Sequence, residues 1–191
     1  MDCKFFPISS LNGTVYLAVL PKENHRENIF EALSRALGKN VTAADLCCSK
    51  ESPRPEFPGL RIDANWTHSK DVCVLAYSGE CRVGVDLEFH SRNRLKLADR
   101  FYSSEEVERI HRLQADKGEN SALRFFYRQW CRKEAFYKCR GGDFFEGTLR
   151  RDMQSDLVEG VSLLDLNPKD YGIQGECSLC LATMPLVGVE V

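Results

Sequence analysis

The sequence predicts an α+β protein made of two similar halves that meet near residue 80. Three observations carry this. The first is the order of elements: strand, helix, loop and strands, then strand, two helices and strands. The second is a run from residue 121 to 139 without proline or glycine, in which Leu123, Tyr127, Trp130, Ala135 and Phe136 recur at helical spacing. The third is a pair of strand-like runs, residues 71–77 and 82–88, around the turn Ser78-Gly79-Glu80, which reads as a hairpin. A chain of 191 residues is one large domain or two small ones and can bury a proper core.

Residues 1–14 are poorly patterned. Residues 14–20 are β-branched and aromatic and read as a strand, broken by Pro21 and Lys22. Residues 24–37 place Ile29, Phe30, Leu33, Ala36 and Leu37 at helical spacing, with Gly38 as the stop. Residues 42–46 form a short helix or turn. Residues 49–61 hold Pro53, Pro55, Pro58 and Gly59, so they form an extended loop, which carries Arg54 and Arg61. From Ile62 the character changes to strands, with a polar pentad, Asn65-Trp66-Thr67-His68-Ser69, ahead of the hairpin. A basic loop follows at 90–94, then a short helix at 95–101. Ser103 and Glu106 have the form of a capping box that starts a helix through Leu113, with Glu105 and Glu106 serving the cap and the dipole. Residues 116–120 read as a polar loop. The longest helix comes next and stops at Gly141-Gly142. The remainder reads as short strands and turns, with an apolar run at 179–189 interrupted by Pro185.

Hydrophobic residues make up 43% of the chain and charged residues 28%, ordinary globular usage. The net charge of −2 gives no global basic field for nucleic acid, although Arg92, Arg94, Lys96 and Arg100 cluster, as do Arg124, Arg128, Arg132 and Lys133. The apolar run at 15–20 is too short for a signal peptide or a membrane span, so a cytoplasmic protein is expected. The nine cysteines are odd in number and irregular in spacing, which fits a reducing compartment. Cys177 and Cys180 lie in a strand-like run and are expected to pack rather than bind metal.

The chemistry is concentrated in two stretches. Arg82-Val-Gly-Val-Asp86-Leu-Glu88 alternates with a period of two. Val83, Val85 and Leu87 face one side; Gly84, Asp86 and Glu88 face the other. Two carboxylates one strand step apart either stand in solvent or are held by a cation, because burying them uncompensated is costly. Gly84 beside them leaves room for close approach of a ligand. On the long helix, Trp130, Glu134 and Lys138 share a face. Alone, such a Glu–Lys pair is an ordinary solvated ion pair. Set against Asp86 and Glu88, Glu134 becomes the third carboxylate of an oxygen-rich group of the kind Mg²⁺ takes. Lys138, one turn on, suits a phosphate. Together they read as phosphate chemistry.

Val83-Gly84-Val85-Asp86-Leu87-Glu88, followed by Trp130-Cys131-Arg132-Lys133-Glu134-Ala135-Phe136-Tyr137-Lys138, resembles the two-part motif of the 4′-phosphopantetheinyl transferases. Asn65-Trp66-Thr67-His68-Ser69 resembles the family's Phe-Asn-x-Ser-His-Ser element, with Thr67 for its first serine and Trp66 for an aliphatic residue. Pro53-Arg54-Pro55 resembles its Gly-Lys-Pro loop, and Arg100-Phe101-Tyr102-Ser103 also matches. The likeness is close over residues 50–145 and holds only in outline elsewhere.

The resemblance implies transfer of the 4′-phosphopantetheine arm of coenzyme A to a serine of an apo carrier protein, with release of adenosine 3′,5′-bisphosphate. It implies that Asp86, Glu88 and Glu134 hold Mg²⁺ and that His68 contacts a coenzyme A phosphate. Lys138 would steady the pyrophosphate, Arg54 would lie near the nucleotide, and Lys133 would help with phosphate or carrier. Glu134, Lys138 and His68 are then the catalytic residues, and the base is Glu134 or a metal-bound water. Trp130 packs and fixes the helix. The length fits the Sfp-type branch: a monomer whose subdomains, residues 1–80 and 81–191, form an intramolecular pseudo-dimer with α/β halves around one site. The N-terminal half offers only Lys22, His25 and Arg26 for the nucleotide 3′-phosphate. The carrier could belong to lipid or secondary-metabolite biosynthesis, and Arg92, Arg94, Lys96, Arg124 and Arg128 could receive it by charge. Two other readings use the same residues: a non-catalytic carrier-binding module, and a metal-dependent nuclease or phosphohydrolase.

Overall fold

The structure, a computed structural model, describes residues 3–47, 54–141 and 148–186; Pro53 and Gly142, marked above as loop and helix end, lie outside the described residues. Two four-stranded antiparallel sheets make up the framework. Strands β1 (Phe5–Ser10), β2 (Gly13–Pro21), β3 (Asp63–Ser69) and β4 (Val72–Ser78) form one sheet in the order β1-β2-β4-β3. Strands β5 (Cys81–Phe89), β6 (Leu157–Val158), β7 (Val161–Leu166) and β8 (Cys177–Pro185) form the other in the order β5-β8-β7-β6.

β1 lies in the stretch the sequence left unpatterned. Its Pro7, which has no N–H to donate, is tolerated because β1 is an edge strand paired only with β2. Helix α1 (His25–Leu37) packs Ile29, Ala32 and Leu33 onto Leu20, Leu75 and Tyr77 of the first sheet, and Gly38, at φ 64°, caps it as expected.

The hairpin predicted around Ser78-Gly79-Glu80 does not form. The turn is there, but β4 pairs with β2 and β3, while β5 pairs with β8. Both edges of β4 are taken, so the chain leaves one sheet for the other. The hairpin of this region is β3–β4, turned at Lys70 in the left-handed conformation, φ 52°.

The chain then runs through a 3₁₀ segment (Arg92–Leu97) into α2 (Ala98–Phe101), α3 (Ser104–Lys117) and α4 (Glu119–Arg140). The Ser103–Glu106 capping box is present. The expected polar loop at 116–120 shrinks to Gly118, whose φ of 82° ends one helix and opens the next. Gly141 then closes α4, its N–H donating to Tyr137 O at 2.7 Å.

The two sheets face each other across a core of Val15, Leu17, Val74, Ala76, Val83, Val85, Leu87 and Leu181. α4 covers the other face of the second sheet, with Cys131, Ala135, Phe136 and Cys139 against Cys180 and Ala182. Cys180 is therefore a packing residue, as expected, and the described cysteines are free thiols. Gly84 corrects an expectation. A Cβ there would collide with Ala135 O and sit 2.5 Å from Cys139 N. The missing side chain admits the backbone of α4 to β5 rather than a ligand.

Candidate active site

The two sheets also meet edge to edge, and this seam builds the site. β5 is an edge strand, so its outer N–H groups need partners. They find side chains of β3. Val83 N–H donates to Asp63 Oδ2 at 2.6 Å, Val85 N–H to Asn65 Oδ1 at 3.1 Å and Phe89 N–H to Ser69 Oγ at 3.4 Å. Asp63, Asn65, Thr67 and Ser69 alternate along β3 and so share one face.

The same face holds the carboxylates. Thr67 Oγ1 donates to Asp86 Oδ1 at 3.0 Å, and Ser69 Oγ donates to Glu88 Oε2 at 3.2 Å. From the helix side, Lys138 Nζ donates to Asp86 Oδ1 at 2.7 Å and to Val85 O at 3.2 Å. Asp86 is 3% exposed, and its second oxygen, Oδ2, has no partner among the described residues. A buried carboxylate oxygen without a donor is costly, so it marks a place where something binds.

The surrounding electrostatics point the same way. Burial, then the charge of Asp86, pushes Glu134 up to about 7, with Glu88 adding to it and Lys138 opposing it. Burial and Asp86 likewise raise Glu88. Burial works against the Lys138 ammonium, but the charge and hydrogen bond of Asp86 outweigh it and hold Lys138 above its ordinary value. One ammonium thus faces three carboxylates that repel each other. The structure brings Asp86, Glu88, Glu134 and Lys138 into one field, although among the described residues no three acid, histidine or cysteine side chains are gathered closely enough to hold a metal ion. The donor set still fits a hard cation, because Oδ2 of Asp86 is free to bind and the neighbouring acids are oxygen donors short of positive charge.

His68 sits elsewhere. It is exposed on the other face of β3 from Thr67, with its ring 5.2 Å from that of His25 at the start of α1. Burial, then Lys22, lowers its pKa, with His25 and Lys138 adding to this. Lys22 and the two edge-on imidazoles of His25 and His68 therefore gather at the rim of the first sheet.

Two expected ligands are structural instead. Lys133 is fully buried; its Nζ lies 2.7 Å from Glu106 and also donates to Arg151 O. Its place on α4 turns it toward α3, away from Asp86, so it has no ammonium to offer a phosphate or a carrier. Arg54, 7% exposed, donates to the carbonyls of Val83, Lys138 and Cys139 and pairs with Asp63. It satisfies carbonyls in the last turn of α4 and ties its loop to β5 and α4. That commitment replaces the expected nucleotide contact.

The expected basic cluster on α4 is also tied up. Arg124 pairs with Glu176, Arg128 with Asp165, and the buried Arg132 with Asp156 and Asp165. Trp130 packs as expected, near-parallel to Phe126 and edge-on to Phe101. The sequence reading singled out His68 in the polar pentad and missed Asn65, Thr67 and Ser69. Their alternation with Asp63 was the available signal, but nothing in it said which strand edge they would meet.

Residues 82–174 match the model of the 4′-phosphopantetheinyl transferase superfamily. A Haemophilus influenzae protein assigned the name 4′-phosphopantetheinyl transferase is 33% identical over 118 residues, covering 59% of this chain and 47% of that one. The human L-aminoadipate-semialdehyde dehydrogenase-phosphopantetheinyl transferase is 33% identical over 113 residues, 56% of this chain and 33% of that one. A Synechocystis protein assigned the same name as the first is 35% identical over 93 residues, 46% and 36%. The chain spans about half the length, or less, of the curated relatives it matches. The matched segment holds Asp86, Glu88, Glu134 and Lys138, and over that segment the chain is similar to the 4′-phosphopantetheinyl transferase superfamily.

Proposed function

We propose that this protein is a Mg²⁺-dependent transferase that moves the 4′-phosphopantetheine arm of coenzyme A onto a serine of an apo carrier protein and releases adenosine 3′,5′-bisphosphate. The observation that carries the reading is the buried, unpartnered Oδ2 of Asp86, with Glu88 and Glu134 beside it and Lys138 on the other oxygen. Asp86, Glu88 and Glu134 would hold the cation, which when bound neutralises charge on the pyrophosphate. Lys138 keeps its ammonium charged and offers its remaining donor capacity to the leaving phosphate. Glu134, pushed up to about 7, is the base for the carrier serine, because a base is most effective near the working pH. His68, with His25 and Lys22 behind it, takes a coenzyme A phosphate. The carrier arrives where the 3₁₀ segment at Arg92–Leu97 presents Arg94 and Lys96.

The reading extends to architecture and setting. Residues 1–80 and 81–191 act as the two subdomains of a pseudo-dimer of the Sfp type, working as a monomer in the cytoplasm, and the activity is that of a holo-carrier-protein synthase. Among the described residues no helix is long and apolar enough to cross a membrane. The test is to incubate the protein with coenzyme A, Mg²⁺ and a panel of apo carriers and weigh the carriers. Each substrate carrier gains one phosphopantetheine. If no carrier gains it while a proven transferase modifies the panel, the reading fails. Asp86→Ala should abolish transfer with little loss of folding.

A further inference from the structure

The face of β5 that carries Asp86 and Glu88 continues past the strand to His90. His90 Nε2 lies 2.9 Å from Ser178 Oγ near the start of β8, and Nδ1 faces Glu176 Oε2 at 3.9 Å. The ring is held on three sides. It stacks on Tyr127 at 4.6 Å and 11°, and that phenol is itself fixed by the backbone of Ser91. The His90 N–H donates to Glu176 O at 2.9 Å, and Arg124 steadies the Glu176 carboxylate through Nε and Nη2, both at 3.3 Å. A carboxylate facing Nδ1 favours the tautomer protonated there, which leaves the Nε2 lone pair for the Ser178 hydroxyl.

Ser178 is also accessible. β7 ends at Leu166 opposite Leu179, so β8 has no partner on that side from Ser178 outward. The serine opens onto a pocket of about 270 Å³, lined by apolar Leu166, Leu179 and Cys131 and by the ion pairs Arg124–Glu176 and Arg128–Asp165. A nucleophile, a base within hydrogen-bond reach and a third group that orients the base are the minimum for covalent catalysis at serine.

We propose that Ser178, His90 and Glu176 form a second nucleophilic site, which accepts short acyl esters or thioesters and needs no metal. In the step, a bond forms between Ser178 Oγ and the carbonyl carbon, and the ester C–O or thioester C–S bond breaks. The serine proton passes to His90 Nε2 and then to the departing alcohol or thiol. Water then gives a proton to His90 Nε2 as its oxygen bonds to the acyl carbon, the bond from that carbon to Ser178 Oγ breaks, the proton returns to Oγ, and the acyl group leaves as the carboxylic acid.

A fluorophosphonate probe tests this directly: Ser178 Oγ bonds to phosphorus, fluoride leaves, and the proton goes to His90. The whole protein is incubated with the probe in the presence of a chelator, and the adduct is mapped by mass spectrometry. The expected result is one adduct per chain, on Ser178, and none on Ser178→Ala. His90→Phe keeps a ring to stack on Tyr127 and should label about a hundred-fold more slowly or worse, the usual loss with a general base. Hydrolysis of p-nitrophenyl butyrate should fall in step. Should Ser178→Ala melt early, Ser178→Cys keeps the shape, and its alkylation by iodoacetamide should slow when His90→Phe is added. No adduct on the unaltered protein, an adduct elsewhere, or equal hydrolysis by Ser178→Ala overturns the proposal.

Discussion

Lys133 and Lys138 lie on the same helix, and each holds a carboxylate at 2.7 Å: Glu106 for the first, Asp86 for the second. Around Lys133 the polar accounting closes. Its ammonium also donates to Arg151 O, and Glu106 accepts from the N–H groups of Ser103 and Met153. Both partners are fully buried. Around Lys138 it does not close. One Asp86 oxygen takes Lys138 and Thr67, the other takes nothing among the described residues, and two more carboxylates crowd in. The same pair of groups serves as a strut in one place and as an incomplete socket in the other. Satisfaction of the surrounding polar atoms separates the two, not the ion pair itself.

This contrast can be broken by experiment. The largest effect is expected at the strut: Glu106→Gln strands a buried ammonium and should cost about 3–5 kcal/mol in urea unfolding. Asp86→Asn should cost far less, since it relieves repulsion from Glu88 and Glu134, and near-equal losses would erase the distinction. Next comes the cation. Mg²⁺ at a hundred times its dissociation constant should stabilise the unaltered protein by about 2.7 kcal/mol in thermal melts and leave Asp86→Asn unmoved.

A smaller effect follows from Glu134. Its folded-state pKa, about 7, lies above the ordinary 4.5, so the folded state binds the extra proton. Stability from this group is full below about pH 4.5 and is lost as pH rises through 7. In chelator, Glu134→Gln should therefore gain on the unaltered protein by on the order of 1–2 kcal/mol between pH 5 and pH 8, read from melts across that range. A flat difference would mean that neither burial nor the charge of Asp86 and Glu88 raises Glu134. The smallest effect is at Thr67→Val, which removes one hydrogen bond to Asp86 and should cost about 0.5–1.5 kcal/mol.

Much of this was legible in the sequence, for reasons the structure makes plain. The period-two alternation of β5 and the helical spacing of α4 are local, and both carried through: Val83, Val85 and Leu87 face the core while Asp86 and Glu88 face α4. What failed depended on distant partners. A turn between two apolar runs looks the same whether the strands pair or part, so the β4–β5 hairpin was expected and is absent. A basic residue looks the same whether it waits for a phosphate or for Glu106, so Lys133 and Arg54 were read as ligands. Gly84 was read as room for a substrate, and the space belongs to a helix.

Gly84 also governs how the site can breathe. Where β5 and α4 touch through backbone there is no side chain to swing or slide, so the two elements travel together and carry Asp86, Glu134 and Lys138 as one body. At the seam with β3 the outer N–H groups of β5 are held by side chains rather than by a backbone ladder. In hydrogen exchange, the amides of Val83, Val85 and Phe89 should open before those of β5 that bond to β8. That order would show the seam with β3 giving way before the backbone contact with α4.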